Sequence, residues 1–168
     1  ASLAIVIYIA FRFDTRFAPG AVVAMFHDIF VVLAYYLVSR REFNLTSVAV
    51  LLTIVGYSVN DTIVIYDRIR ENMGKMKGMS LETLINRALN ETMGRTIITS
   101  FITFLSLVGL LIFGVGQIWD FAAAMTVGLI SGVYSTIYIA TPMTLWVEEL
   151  MSKRGQGSGS AMGAAKAG

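Results

Sequence analysis

Four ionisable residues stand within, or at the edge of, long apolar stretches of this 168-residue chain. Asp28 follows His27 in one stretch, Asp61 lies in the next, and Arg95 stands at the start of a third. A charged side chain at the centre of a bilayer costs about 2.5–3.5 kcal/mol on insertion scales, so such residues usually face a helix-bundle interior and pair with one another. The chemistry open to a carboxylate near a guanidinium there is the binding and release of a proton.

Polar residues accompany Asp61 and Arg95 at helical spacing. Tyr57 precedes Asp61 by four residues and Asn60 adjoins it, while Thr99 and Thr103 follow Arg95 at intervals of four. Residues four apart share one face of a helix. Two such faces on consecutive antiparallel helices can meet. The spacing therefore predicts an Asp61–Arg95 pair, direct or through a water, supported by a polar stripe of Asn60, Tyr57, Thr99 and Thr103.

A changing distance between Asp61 and Arg95 would change the proton affinity of the carboxylate. We therefore take Asp61, Arg95, Asp28 and His27 as a candidate proton pathway. Three other interpretations stay open. The pair could only fix the helix register, His27 could only donate a hydrogen bond to Asp28, and Arg95 could anchor its helix by reaching to the inner headgroups.

The composition excludes several classes of protein. Apolar residues make up 56% and charged residues 14%, with a mean hydropathy of +0.71, whereas a soluble domain carries about 25% charged residues. The chain has no cysteine and one histidine, so a thiolate zinc site, a disulfide and a multi-histidine metal site are excluded. We find no catalytic or nucleic-acid-binding motif, and we predict neither an enzyme activity nor a cofactor nor a nucleic-acid partner.

The apolar stretches predict an all-α, polytopic membrane bundle. Spans are expected at about 20–38, 46–66, 96–113 and 118–147, with Pro142 kinking or ending the last one. The run at 1–11 is too short to cross and is predicted to be the end of a truncated span, with a signal-peptide core as the alternative. A cytoplasmic amphipathic helix is expected at about 80–92, on the membrane surface or against another subunit, and a flexible tail at 151–168.

The basic residues predict the orientation. Of the 13 lysines and arginines, only Arg40 and Arg41 fall on one side of the predicted spans. The other side is therefore cytoplasmic and includes the C-terminus. Residue 1 would then lie on the outer side, which leads us to expect an earlier span upstream.

A stripe of small residues marks the last span. Ala124, Gly128 and Gly132 recur every four residues, followed by Thr136 and Ala140. Close helix packing in lipid depends on such residues, although a sliding interface would need the same surface.

Charged residues end the third predicted span, at Asp67-Arg68-Ile69-Arg70-Glu71. Opposite charges three or four residues apart favour a solvated helical extension. A docking surface for a partner is the alternative.

Several motifs in colinear order over about residues 11–150 resemble the membrane region of the SecD/SecF protein-export family, on the SecF side. They are His27-Asp28, Glu42–Thr46, Leu52–Val64 with its Gly56-Tyr57-Ser58-Val59-Asn60-Asp61 core, Asp67–Asn72 and Arg95–Ser100. The resemblance implies a half of a resistance–nodulation–division (RND) transporter fold, here spans two to six of six, without the first span and the periplasmic domain.

The resemblance also implies a function. Members of the family act with SecD in the bacterial cytoplasmic membrane, helping preproteins finish crossing after the SecYEG channel, and they use the proton gradient. It further implies that Asp61 and Arg95 match family residues implicated in proton conduction. Two alternatives remain: half of an RND-type efflux transporter, and a scaffold subunit that moves no protons.

Overall fold

The computed structural model describes residues 17–76, 78–147 and 149–150. The predicted truncated span at 1–11 and the tail at 151–168 lie outside the described residues. Four long helices make up this part: α1 at Ala18–Ser39, α2 at Leu45–Lys75, α3 at Leu81–Phe113, and α4, which begins at Gln117–Ser135 and continues to Val147. Each is long and apolar enough to cross a membrane, and the described residues contain no strand. The prediction of an all-α polytopic bundle is confirmed.

Each of the four predicted full spans falls within one helix, but α2 and α3 are longer than predicted. The amphipathic segment at 80–92 is not separate from the span at 96–113; both belong to the unbroken α3. A helix of 31 residues such as α2 rises about 46 Å at 1.5 Å per residue, while the hydrocarbon core is about 30 Å thick. We therefore place the C-terminal end of α2 and the N-terminal end of α3 outside the bilayer core, and we call them the inner extensions.

The inner extensions pack against each other. Ile69 of α2 and Ile85 and Ala88 of α3 are fully buried in one apolar cluster, together with Tyr66. The apolar face of 80–92, expected on the membrane surface or on another subunit, is thus largely covered within this chain.

Local signals set the ends of the helices. Asn44 caps α2, because its side chain accepts a hydrogen bond from the Ser47 amide at 3.2 Å while Ser47 Oγ accepts one from the Asn44 amide at 3.2 Å. Ser80 caps α3 by accepting from the Thr83 amide. Both caps satisfy amide groups that a helix start leaves unpaired, and the Asn44–Ser47 bonds are reciprocal.

Two loops meet at the opposite end of the bundle from the inner extensions. Arg41 Nη1 pairs with Asp120 Oδ1 at 2.6 Å and its guanidinium lies 4.7 Å from the centre of the Trp119 ring. Thr46 Oγ1 donates to Gln117 Oε1 at 3.2 Å. The α1–α2 and α3–α4 connections therefore share one end, as expected for four helices running alternately up and down.

Helix α4 lies at the centre of the bundle and contacts all three others. Of its apolar stretch, 56% is buried, against 11% for α3. The small-residue stripe forms much of the contact surface: Ala124 and Ala140 are fully buried, and a Cβ on Gly128 would collide with Ile54 of α2 and lie 3.1 Å from Val32 Cγ2 of α1.

Pro142 does not end α4. The helix passes through a π-helical turn at Thr136–Ala140 and continues to Val147. A proline removes one helical hydrogen bond and its ring collides with the carbonyl four residues earlier, and that carbonyl lies in the π turn. In the same turn, the Ala140 carbonyl accepts hydrogen bonds from two side chains, Tyr66 Oη at 3.1 Å and Thr144 Oγ1 at 2.9 Å.

Candidate functional site: ionisable residues in the membrane bundle

Asp28 is enclosed by three serine hydroxyls. Ser58 of α2 and Ser135 of α4 donate to Oδ2 at 2.6 and 2.8 Å, and Ser131 of α4 donates to Oδ1 at 2.7 Å. The carboxyl is fully buried. Helices α1, α2 and α4 therefore meet on one carboxyl group whose oxygens are hydrogen-bonded on both sides, which is what a buried polar group requires. We call Ser58, Ser131 and Ser135 the serine cage.

His27 lies between Asp28 and the bundle surface. Its Nδ1 is 3.2 Å from Asp28 Oδ1, and about a third of its side chain is exposed. The imidazole is 6.3 Å from the Tyr134 ring, centroid to centroid, and lines a groove with Val31 and Ile130. The structure thus brings together the His27 and Asp28 predicted from sequence, with His27 between the buried carboxyl and the surface of the bundle.

Asp61 is buried in α2, close enough to Arg95 for the two charges to interact. Within the described residues, no ion pair within 4.0 Å joins the two side chains. Arg95 is exposed on α3. The predicted partners are therefore on facing helices, and their interaction is electrostatic rather than a direct contact.

One member of the predicted polar stripe, Tyr57, makes a hydrogen bond between α2 and α3, and its partner lies outside the stripe. Tyr57 Oη donates to Ser100 Oγ at 3.3 Å. The hydroxyls of Thr99 and Thr103 instead donate to carbonyls of their own helix, at 3.0 and 2.9 Å. A threonine in a helix readily reaches the carbonyl four residues earlier, so these side chains need no partner on α2. Asn60 is exposed on α2.

A polar cavity of about 280 Å³ opens between the inner extensions. It is lined by Val64, which lies one turn beyond Asp61, by Thr92, and by the charged side chains of Asp67, Arg68, Glu71, Glu91 and Arg95. Arg95 therefore borders both the region of Asp61 and a polar opening at the inner end.

Glu91 connects the two inner extensions at the rim of this cavity. Its Oε2 accepts from Arg68 Nε at 2.7 Å and from Asn72 Nδ2 at 3.1 Å, and its Oε1 accepts from Arg87 Nε at 2.9 Å. The hydrogen bonds from Arg87, Asn72 and Arg68 lower the pKa of Glu91 to about 2. The predicted Arg68–Glu71 pair within α2 is also present.

Four residues of these sites were missed at the sequence level: the three cage serines and Glu91. Ser131 and Ser135 are one turn apart, beside the small-residue stripe, which is a weak signal because serine is common in packed membrane helices. Glu91 could be predicted only by knowing which face of α3 packs against α2. No group of three or more metal-binding side chains occurs in the part of the chain that the structure describes.

Apolar helices around two buried carboxyl groups, of which Asp28 is hydrogen-bonded on both oxygens, define a multi-pass membrane protein with ionisable groups in its interior. Residues 1–150 match the family described as "Protein export membrane protein SecD/SecF, C-terminal". The chain belongs to this family, so the resemblance seen in its motifs is confirmed.

Individual relatives agree. The chain is 48% identical over 147 residues to the protein translocase subunit SecF of Thermodesulfovibrio yellowstonii, covering 86% of this chain and 49% of that protein. It is 48% identical over 141 residues to the protein translocase subunit SecDF of Brucella abortus, covering 84% of this chain and 19% of that protein. The chain spans about half or less of the length of these relatives.

Two solved structures share the fold. A crystal structure of SecDF, a translocon-associated membrane protein from Thermus thermophilus, matches with a TM-score of 0.81 and 41% identity, over 86% of this chain and 20% of that one. A structure of SecDF in a super-membrane-facing form matches with a TM-score of 0.82 and 39% identity, over 92% and 21%.

Proposed function

We propose that this chain is the membrane bundle of a SecF-type accessory subunit of the bacterial Sec translocase. In this role it acts with SecD, beside the SecYEG channel, on a preprotein that is already crossing. Family membership and the identity to translocase subunits named SecF and SecDF support this assignment. Its proposed role is to bind and release protons rather than to convert a substrate, so we assign it no enzyme activity.

The bundle would sit in the bacterial cytoplasmic membrane with its inner extensions and C-terminus in the cytoplasm. Arg41 is the basic residue that pairs at the outer loops, whereas the inner extensions carry Arg68, Lys75 and Arg87. An excess of basic residues marks the cytoplasmic side.

The observation that supports proton coupling is the burial of Asp61 within an apolar helix, within electrostatic reach of Arg95. A proton on Asp61 removes its attraction to Arg95, and loss of the proton restores it. The relative position of α2 and α3 then depends on the proton. The polar cavity beside Arg95 supplies an aqueous route from the inner end. Asp28 and His27 form a second protonatable pair in the same bundle.

We would test this with the full-length protein and SecD in inverted membrane vesicles. Export of a preprotein would be followed for wild type and Asp61→Asn, with the proton gradient intact and collapsed. Asp61→Asn keeps the shape of the side chain but removes its charge. The matched control is Asp120→Asn, which removes a carboxylate that pairs with Arg41 in the loops, away from the interior.

The expected result is that Asp61→Asn assembles with SecD at normal levels and loses most of the gradient-dependent part of export, while Asp120→Asn keeps it. Full gradient-dependent export by Asp61→Asn at normal membrane levels would show that Asp61 only fixes helix register. The chain would then be a scaffold subunit.

A further inference from the structure

The hydrogen-bond partners of Asp28 fill the acceptor capacity of a carboxylate. Each carboxyl oxygen has two: Ser131 and His27 on Oδ1, and Ser58 and Ser135 on Oδ2. Within the described residues, no lysine or arginine forms an ion pair with it. The hydroxyls that surround it are neutral, so its own proton or the one on His27 decides the charge of this buried site.

The three cage hydroxyls differ in what else they can bond. A hydroxyl has one proton to donate and lone pairs with which to accept. In the described part of the chain, the hydroxyls of Ser58 and Ser131 have Asp28 as their acceptor. Ser135 Oγ has a second acceptor, the Gly132 carbonyl of its own helix at 3.2 Å. Ser135 can therefore turn its proton from Asp28 to this carbonyl, which also accepts a hydrogen bond from Thr136 Oγ1 at 2.8 Å.

We propose that the serine cage makes Asp28 a proton-binding site that is stable in both charge states, with Ser135 as the hydroxyl that switches. When Asp28 is ionised, all three serines donate to it. When Asp28 is protonated on Oδ2, Ser135 donates to the Gly132 carbonyl and accepts the Asp28 proton. Ser135 is a positioning residue here, because the proton is held by Asp28.

His27 delivers the proton. The imidazolium Nδ1–H passes its proton to Asp28 Oδ1 across 3.2 Å, so the imidazolium becomes neutral imidazole and the carboxylate becomes a carboxylic acid. A half-turn about the Cβ–Cγ bond of Asp28 then exchanges the two oxygens and brings the acid proton to Ser135. His27 can be recharged from the groove that it lines with Val31 and Ile130.

Two other ionisable groups of the described residues lie near this site. The ring of Tyr134 on α4 faces His27, and Asp61 lies on α2 three residues after Ser58. The importance of the site for export rests on the proposed function, but its ability to bind a proton does not.

The test is infrared difference spectroscopy of the purified full-length protein with SecD in lipid vesicles, between neutral and acidic buffer. We expect a carboxylic-acid carbonyl band that disappears in Asp28→Asn. Ser135→Ala should reduce its amplitude by about half or more, because the acid loses its acceptor. The matched control, Ser131→Ala, removes a donor of similar distance on the same helix and should keep the band. His27→Gln should slow exchange of the acid proton for deuterium by about tenfold or more.

An equal reduction by Ser131→Ala and Ser135→Ala would overturn the switching role, and a band unaffected by Asp28→Asn would overturn the site itself. If Asp28→Asn fails to accumulate, a frequency shift of the band in Ser131→Ala assigns it, and the absence of a shift counts against the site. The readout is independent of export. The Asp28 band could be present in a protein whose export does not depend on the proton gradient. That result would reject the proposed function but would leave this proton-binding site in place.

Discussion

Gly128 has no side chain, and this allows α1, α2 and α4 to pack closely at this position. A methyl group at this position would enter the side chain of Ile54 and press on Val32. Helix packing in lipid depends on close backbone approach, because lipid gives helices no hydrophobic reason to associate. The contact therefore belongs to the core of the α1–α2–α4 interface.

We expect Gly128→Ala to destabilise the bundle by about 1–3 kcal/mol, the range for overpacking a tight core. Thermal unfolding of the purified full-length protein in detergent would measure the change. The control is Gly109→Ala in α3, where an added Cβ has no heavy atom within 4 Å and alanine favours the helix by about 1 kcal/mol. Equal losses for both variants would contradict the packing role of Gly128.

The burial of individual charged residues could be predicted from the sequence, because the cost of exposing a carboxylate to lipid decides it. Asp28 and Asp61 were expected in the interior because lipid exposure of a carboxylate is expensive, and both are buried. Sequence reasoning could not identify the hydroxyls around Asp28, since Ser58, Ser131 and Ser135 come from two helices whose rotation the sequence alone does not give. Thr99 was expected to face α2, but its hydroxyl bonds the Arg95 carbonyl of its own helix.

At the scale of elements, the inner extensions of α2 and α3 behave as one unit joined by Glu91. Sequence spacing predicted the Arg68–Glu71 pair within α2, which is local. The bonds from Arg68 and Asn72 to Glu91 cross between helices. These bonds form because α3 is one continuous helix, whereas the sequence pattern predicts a surface helix and a separate span.

The lowered pKa of Glu91 predicts how this unit responds to acid. A carboxyl whose pKa falls from 4.5 to about 2 on folding stabilises the fold above pH 4.5 and loses that contribution as the pH falls toward 2. We expect the unfolding temperature of Glu91→Gln to lie below wild type at about pH 7, and the difference to shrink toward about pH 3.

Glu42→Gln, an exposed carboxylate in the α1–α2 loop, serves as the control for that measurement and should match wild type throughout. A difference between Glu91→Gln and wild type that stays constant with pH would show that the glutamate acts by packing, since glutamine cannot titrate.

At the scale of the whole molecule, one face of α2 is left uncovered by the residues that the structure describes. Thr53, Gly56 and Asn60 are exposed on this helix at membrane depth. A polar amide such as that of Asn60 gains little from lipid and hydrogen-bonds readily to another helix. In the proposed complex, we assign this face to the contact with SecD.

We expect Asn60→Cys, carrying a photoactivatable cross-linker, to label SecD in membranes that contain the full-length pair. This chain has no cysteine of its own, so it adds no background labelling. Phe26→Cys on α1, an exposed apolar position in another span, is the control and should label lipid. Equal labelling of SecD from both positions, or labelling from Phe26→Cys alone, would move the contact away from α2.

The burial of the four helices also bears on how the protein is made. The most apolar helix, α3, is the least buried, and the least apolar helix, α4, is the most buried. A helix as apolar as α3 can enter lipid without a partner helix. Helix α4, with two of the three serines that bond Asp28, emerges only after α1 and α2 have been synthesised. The surface against which α4 packs is therefore synthesised first, and we expect the helices to assemble in the order in which they occur along the chain.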